Sequence, residues 1–295
     1  MLRASERLAI AYFAYCCACS VVMPVRAGVP LVTFSVNTLV IAGFFLLAWA
    51  EALRHRKYLR VMRDWYPLPL MLLAYREMGW FAPLTHTFRF EHGWIVWDRM
   101  ALNDWGVRAA IEMTGPLLPS LLEICYSLVY AIAPFCMGWL YHRRREERMN
   151  EYLLQFLASI FLSYALNPFF PSEPPRSVFP GQDLPTITTI FRKFNLALVG
   201  NYGIHLSVFP SAHCSGAFGA AFAMMRVLPE ERWIGRALML LASGIAVATL
   251  YGRYHYAVDA LAGIGVAIAV ALFCNHRRTG RQNPPAQEKK RLRPR

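Results

Sequence analysis

Apolar stretches of about twenty residues, separated by short polar and basic segments, recur along the whole chain. As a helix, a run of that length spans the ~30 Å hydrocarbon layer of a membrane. The clear runs are 31–50, 117–141, 152–170, 211–228, 234–251 and 256–274. A shorter run, 8–23, follows Arg3 and Arg7. That basic start suits a signal peptide, but no small-residue cleavage site follows, and the run reads better as a first crossing. The pattern predicts an all-α, polytopic membrane helical bundle.

The basic residues sit between these runs. Arg54, Arg56, Lys57, Arg60 and Arg63 form one cluster, Arg143, Arg144, Arg145 and Arg148 a second, and the tail from His276 to Arg295 a third. The positive-inside rule places all three in the cytoplasm. Keeping them there requires an outward crossing between Arg63 and Leu117, and only 66–84 is apolar enough. Pro67, Pro69 and Pro83 flank it, and Arg76 and Glu77 interrupt it. Intramembrane charge is costly unless paired or facing a cavity. The segment is therefore expected either as a short crossing with a buried Arg76–Glu77 ion pair or as an interfacial piece.

Counting it gives about eight crossings with both termini cytoplasmic. The chain then divides into two N-terminal helices with a basic loop (1–63), a short crossing with interfacial helices (64–116), a transmembrane core (117–274) and a disordered basic tail (275–295) that anionic lipid attracts.

Composition adds that 56% of the 295 residues are hydrophobic and that the net charge is +13. The positive charge forms no single stripe with interleaved aromatics, so no nucleic-acid partner is expected. Seven cysteines, nearly all within apolar runs, argue against a disulfide framework. Cys16 and Cys19 have C-x-x-C spacing, but inside a hydrophobic helix they read as small packing residues, as does Cys214 beside His213. Without a His-x-x-x-His, a carboxylate cluster or paired C-x-x-C motifs, no metal or cofactor is expected.

The chemistry-bearing stretches are Phe209-Pro-Ser-Ala-His213 and Tyr251-Gly-Arg-Tyr-His-Tyr-Ala-Val-Asp259. His255 and Asp259 stand one helical turn apart, so the carboxylate can hold one imidazole nitrogen while the other faces substrate. A nucleophilic or proton-transferring histidine is oriented in this way. The threading puts Ser211, His255 and the loop 171–209 on the same, non-cytoplasmic side. The region 86–114, with Trp94, Trp97, Trp105, Asp98, Asp104 and Arg108, falls there too and suits helices lying in the headgroup layer.

Pro210-Ser-Ala-His213 followed by His255-x-x-x-Asp259-x-x-Ala-Gly263 resembles the type-2 phosphatidic acid phosphatase and vanadium haloperoxidase superfamily, whose members carry P-S-G-H and then S-R-x5-H-x3-D. The similarity covers roughly residues 117–274 and implies a six-helix phosphatase-like core. By the resemblance, His255 attacks phosphorus and forms a phosphohistidine, Asp259 orients it, and His213 protonates the leaving oxygen. Ser211 and the backbone near Ala212 would hold phosphate oxygens, in keeping with the unpaired N–H groups and positive dipole end of a helix start. A neutral nucleophile with a protonated acid implies a bell-shaped pH profile.

Departures from the family pattern bear on the substrate. The first family block is K-x6-R-P; here Arg176 of Pro171-Ser-Glu-Pro-Pro-Arg176 takes the arginine's place, Phe169 stands at the lysine position and Ser177 follows the arginine. Six residues before His255, where the family has arginine, stands Thr249; Arg253 is its candidate substitute. Two fewer cations penalise a monoester dianion most. The motifs look like the branch containing inositol phosphorylceramide synthases and related lipid headgroup transferases, in which an alcohol or lipid acceptor resolves the phosphohistidine. Lys193 and Arg192 are candidates for the missing charge, and with them a simple phosphatidic acid or polyprenyl (pyro)phosphate phosphatase stays the alternative.

Other residues read more plainly. His55, His142 and His276 fall in basic runs and are expected to be solvated; nothing local recruits His86 or His92; His205 is either loop filler or a headgroup contact. Ser215, Gly219 and Ala223, like Gly263, Ala267 and Ala271, repeat every four positions, which lets helix backbones approach closely in lipid. A transporter that uses the histidines as a proton relay is a distant second class. It predicts ionisable groups at segment centres and internal inverted repeats, whereas these groups stand near segment ends and no repeat is evident.

Overall fold

The computed structural model describes residues 1–81, 86–204, 206 and 208–282. Among them the chain is helical and contains no strand. The helices run α1 (Ala4–Val22), α2 (Val29–Arg54), α3 (Lys57–Trp65), α4 (Pro67–Trp80), α5 (Arg89–Arg99), α6 (Val107–Glu112), α7 (Leu117–His142), α8 (Met149–Leu166), α9 (Pro175–Val178), α10 (Ile190–Tyr202), α11 (Ala212–Val227), α12 (Arg232–Tyr251) and α13 (Ala257–Gln282).

Six stretches are long and apolar enough to cross a membrane: Ala4–Val22, Val29–Arg54, Leu117–His142, Glu146–Phe169, Pro229–Tyr251 and Ala257–His276. Two expected crossings fall short. With 16 residues, α11 is about 24 Å long, and α4, with 14, about 21 Å. Length is not what keeps α11 in place: it is the most enclosed helix, packed on α8, α12 and α13. Its small residues permit this. A Cβ on Gly219 would lie 2.5 Å from Ser159 Oγ, and Ser215 Oγ meets Ser163 Oγ at 2.8 Å.

The Arg76–Glu77 pair does not form. Glu77 is fully buried and accepts a hydrogen bond from Asn37 Nδ2 (3.4 Å), while Arg76 is exposed. Adjacent helical residues point about 100° apart, so the packing that buries one turns the other outward.

Charged residues close one end of the bundle. Arg63 holds Glu6 (2.7 and 2.5 Å) and Glu51 (2.5 Å), and Arg3 pairs with Asp64, which also accepts from the Tyr141 hydroxyl. Arg148 reaches Val227 O (2.6 Å) and Glu230 (2.9 Å), and Arg143 pairs with Glu231. The α7–α8 and α11–α12 turns therefore share this end with the N-terminus and the α2–α3 turn. The starts of α7, α11 and α13 lie at the other end. The last helix continues to Gln282, so the first part of the expected disordered tail is helical, and the tail beyond 282 lies outside the described residues.

Candidate active site

Two helix starts meet at the end away from the charged network. Ser211 is the N-cap of α11, its Oγ accepting from Cys214 N at 3.4 Å, and its own N–H donates to the backbone carbonyl of Asp259 at 3.0 Å. Gly263 makes the approach possible, because a Cβ there would stand 2.4 Å from Ser211 O and 3.1 Å from Cys214 Cβ. The glycine repeat read in the sequence thus brings together the segments carrying His213 and His255.

Between α12 and α13 the chain makes a tight turn around one carbonyl. Thr249 O accepts from both Tyr254 N (2.9 Å) and His255 N (3.0 Å). Asp259 Oδ2 accepts from Tyr256 N at 2.9 Å and lies 3.4 Å from His255 Nδ1. On the other side of the imidazole, Nε2 lies 3.3 Å from His213 Nδ1. The carboxylate therefore addresses one ring nitrogen, and the second nitrogen faces the other histidine. A phosphoryl group attached to Nε2 would occupy the place of that contact, so one ring must turn aside when it arrives.

Arg176, on the short helix α9, is the cation beside this pair. It donates to Tyr254 O (3.4 Å), and its guanidinium lies 5.7 Å from the centre of the Tyr254 ring. Burial, followed by the charge of Arg176, pushes His255 down to about 3. The imidazole is thus neutral.

Other cations named from the sequence are placed differently. Lys193 is exposed and is not brought to the histidines; its neighbour Arg192 turns inward to Glu123 Oε1 (3.0 Å) and Gly252 O (3.3 Å). Arg253 is fully buried with a left-handed φ of +61° and donates from Nη1 to Asp98 Oδ2 at 2.6 Å. Such a backbone state costs a non-glycine residue roughly 1–3 kcal/mol. Arg253 is thus engaged by a carboxylate, and the charge that bears on His255 comes from Arg176. Thr249, at the family arginine's position, is buried and contributes through its carbonyl. Ala212, the first residue of α11, is half-buried beside His213.

Several contributors were not read from the sequence. Tyr126 stacks on His213 (ring centres 5.1 Å apart) and on Tyr254 (4.1 Å), and Tyr130 meets His213 edge-on at 6.2 Å. Glu123 accepts from the Tyr254 hydroxyl (2.7 Å) and Asn195 Nδ2 (2.8 Å) as well as from Arg192. A carboxylate inside an apolar run was the available signal for Glu123. Tyrosines within such runs carry none that separates them from packing residues.

Helices α5 and α6 and the loop after α9 cover the site. Trp94 stacks on Phe209 (5.1 Å) and meets Tyr256 edge-on (5.6 Å). Arg99 holds Asp183 (2.8 Å), and Glu112 accepts from Thr186 N (2.9 Å) and Oγ1 (2.7 Å). His86 is recruited after all, its Nε2 2.5 Å from Glu91 Oε1, which also accepts from Glu173 N at 2.8 Å. His92 meets Phe179 edge-on at 5.7 Å. His205 lies outside the described residues. Cys16, Cys17, Cys19, Cys125, Cys136 and Cys214 form no disulfide, and no group of three or more His, Cys, Asp or Glu able to hold a metal ion occurs among the described residues.

A histidine pair at two helix starts, with a carboxylate on one side and an arginine alongside, thus stands within a helical membrane bundle. The chain belongs to the PAP2 superfamily, whose family model matches residues 92–273, more than half of its length. It is also 28% identical over 139 residues to a PA-phosphatase related-family protein of Dictyostelium discoideum. That match covers 44% of this chain and only 23% of the longer relative. No solved structure matches it.

Proposed function

We propose that the protein is an integral-membrane enzyme that cleaves or exchanges a phosphate ester of a lipid through a phosphohistidine on His255. The observation that carries this reading is the 3.3 Å approach of His255 Nε2 to His213 Nδ1, with Asp259 on the opposite side of the His255 ring. Nε2 attacks phosphorus, the bond from phosphorus to the leaving oxygen breaks, and His213 gives that oxygen its proton. In the second half, water or an alcohol attacks phosphorus, His213 takes its proton, and the phosphorus–nitrogen bond breaks.

The cation inventory favours transfer of a lipid headgroup. Arg176 faces the histidines, whereas Arg192 is neutralised by Glu123 and Arg253 by Asp98. A single uncompensated cation beside the histidines, among the described residues, suits a singly charged phosphodiester better than a monoester dianion. The three basic clusters support a site on the periplasmic, extracellular or lumenal face, with both termini in the cytoplasm.

The test gives purified protein in liposomes labelled phosphatidic acid, polyprenyl pyrophosphate or phosphatidylinositol, with and without an acceptor lipid, beside His255→Ala. Acceptor-dependent headgroup transfer lost in the variant is the expected result. Release of free phosphate without an acceptor, also lost in the variant, identifies a phosphatase instead. Activity that survives His255→Ala overturns the mechanism.

A further inference from the structure

The turn that carries His255 is held from outside its own sequence block. Asp98, on the covering helix α5, uses both carboxylate oxygens on it: Oδ2 accepts from Arg253 Nη1 at 2.6 Å and Oδ1 from Ala257 N at 2.8 Å. These partners stand two residues before and two residues after His255. Asp98 and Arg253 are both 0% exposed, so water does not compete for either contact.

The remaining bonds of the turn cannot replace this one. Thr249 O fixes Tyr254 and His255 from the α12 side, and Asp259 Oδ2 fixes Tyr256 N from the α13 side. Both are local, made by residues of the same hairpin; Arg192 and Arg176 reach in from α10 and α9 only to the carbonyls of Gly252 (3.3 Å) and Tyr254 (3.4 Å), and neither bond holds the Arg253 side chain or Ala257 N. Arg253 sits between them in the left-handed region, φ +61°, a conformation that persists only where its surroundings over-determine it. The Asp98 carboxylate supplies that constraint, and by binding Ala257 N it also satisfies one of the open donors at the start of α13.

We propose that Asp98 is a positioning residue for His255: by bridging Arg253 and Ala257, its carboxylate fixes the turn that aims Nε2 at the reacting phosphorus. This rests on the reading of His255 as the nucleophile. It also gives the covering helix a part in the chemistry beyond shielding, because a shift of α5 moves the histidine turn with it.

The test compares wild type, Asp98→Asn, the double variant Asp98→Ala/Arg253→Ala and His255→Ala in liposomes, on whichever labelled lipid phosphate the wild type turns over. Single-turnover formation of the acid-quenched phosphoenzyme is measured beside kcat and KM. Asp98→Asn keeps the side-chain shape and the acceptor for Ala257 N but opposes an amide to Arg253. The expected result is that phosphoenzyme formation and kcat fall about 100-fold, the scale for roughly 1 Å of misplacement, while KM stays within threefold. Should that variant not fold, the double variant removes both halves of the buried pair together and is expected to show the same loss. Phosphoenzyme formation within twofold of wild type in a folded variant overturns the proposal, as does a loss confined to KM. If His255→Ala still forms phosphoenzyme, it is the nucleophile assignment that has failed, a result distinct from failure of the Asp98 inference alone.

Discussion

Tyr126 lies against His213 with the two ring planes 20° apart and their centres separated by 5.1 Å. An imidazolium gains from an aromatic face beneath it, typically ~0.5–2 kcal/mol, so the stack offsets part of the penalty that burial, His255 and Arg176 place on the protonated ring, the form the proposed general acid requires. Tyr126→Phe keeps the face and is expected to retain most of kcat. Tyr126→Leu is expected to lower kcat about tenfold, the kinetic equivalent of ~1.4 kcal/mol, with the loss seen when the rates of the two variants are compared at saturating substrate.

The pH behaviour of His255 follows from its surroundings. Burial and Arg176 together push it down to about 3, below the ~6.5 of an unfolded histidine. Between those values the unfolded chain binds a proton that the folded protein does not, so stability rises with pH across that window and falls on acidification. On acidification from pH 6.5 to 4, thermal midpoints are expected to drop more steeply for wild type than for His255→Gln. Arg176→Met removes the second cause and is expected to move the acid limb of kcat/KM upward.

Arg176, which stands beside the histidine pair, is by the proposed function the cation that meets a phosphate there. Orthovanadate, whose shape resembles a transferring phosphoryl group, is expected to inhibit competitively with the lipid substrate. Its inhibition constant is expected to rise about tenfold or more in Arg176→Met and to change less than twofold in Lys193→Met, because Lys193 is exposed on α10. Equal effects of the two substitutions in an inhibition titration would contradict this placement.

Behind the site, Arg192 and Glu123 form an ion pair with side chains 5% and 3% exposed. Glu123→Gln leaves the guanidinium buried opposite a neutral amide, and breaking such a pair from one side costs about 3–5 kcal/mol. A lowered thermal midpoint in detergent is expected, with much of it recovered in Glu123→Gln/Arg192→Met. Tyr254, whose hydroxyl donates to Glu123 (2.7 Å), would lose its register in the single variant, and activity is expected to fall in parallel.

Much of this arrangement was legible in the chain, for different reasons at different residues. The long apolar runs read as helices because a run of about 20 apolar residues satisfies its own backbone hydrogen bonds in a membrane as a helix, whereas a barrel strand is about half as long. His255 and Asp259 do meet, but not by helical spacing: His255 lies in the turn before α13, which begins at Ala257, and Asp259 reaches it at 3.4 Å from the first turn of that helix, while Gly263 admits α11 by its lack of a side chain. What sequence spacing does not encode is which way a side chain turns at a helix end. Arg253 adopts a left-handed backbone and goes to Asp98, 155 positions away in the chain. Lys193 and Arg192 were equivalent by composition, and the packing of α10 on α7 separates them into an outer and an inner charge. Glu77 and Arg76 were paired by adjacency, which helix geometry forbids.

The contact at Gly263 has a consequence for how such a site diversifies. The two histidine-bearing segments touch backbone to backbone, with Ser211 O where a Cβ on Gly263 would stand. Any side chain at Gly263 would force the two segments apart, so this contact leaves little room for gradual change in their spacing. The covering segments, around 86–112 and 171–189, bear on the site through side chains and are free of this constraint. Selection can therefore reshape the cover over the site while leaving untouched the distance between the two histidine-bearing segments.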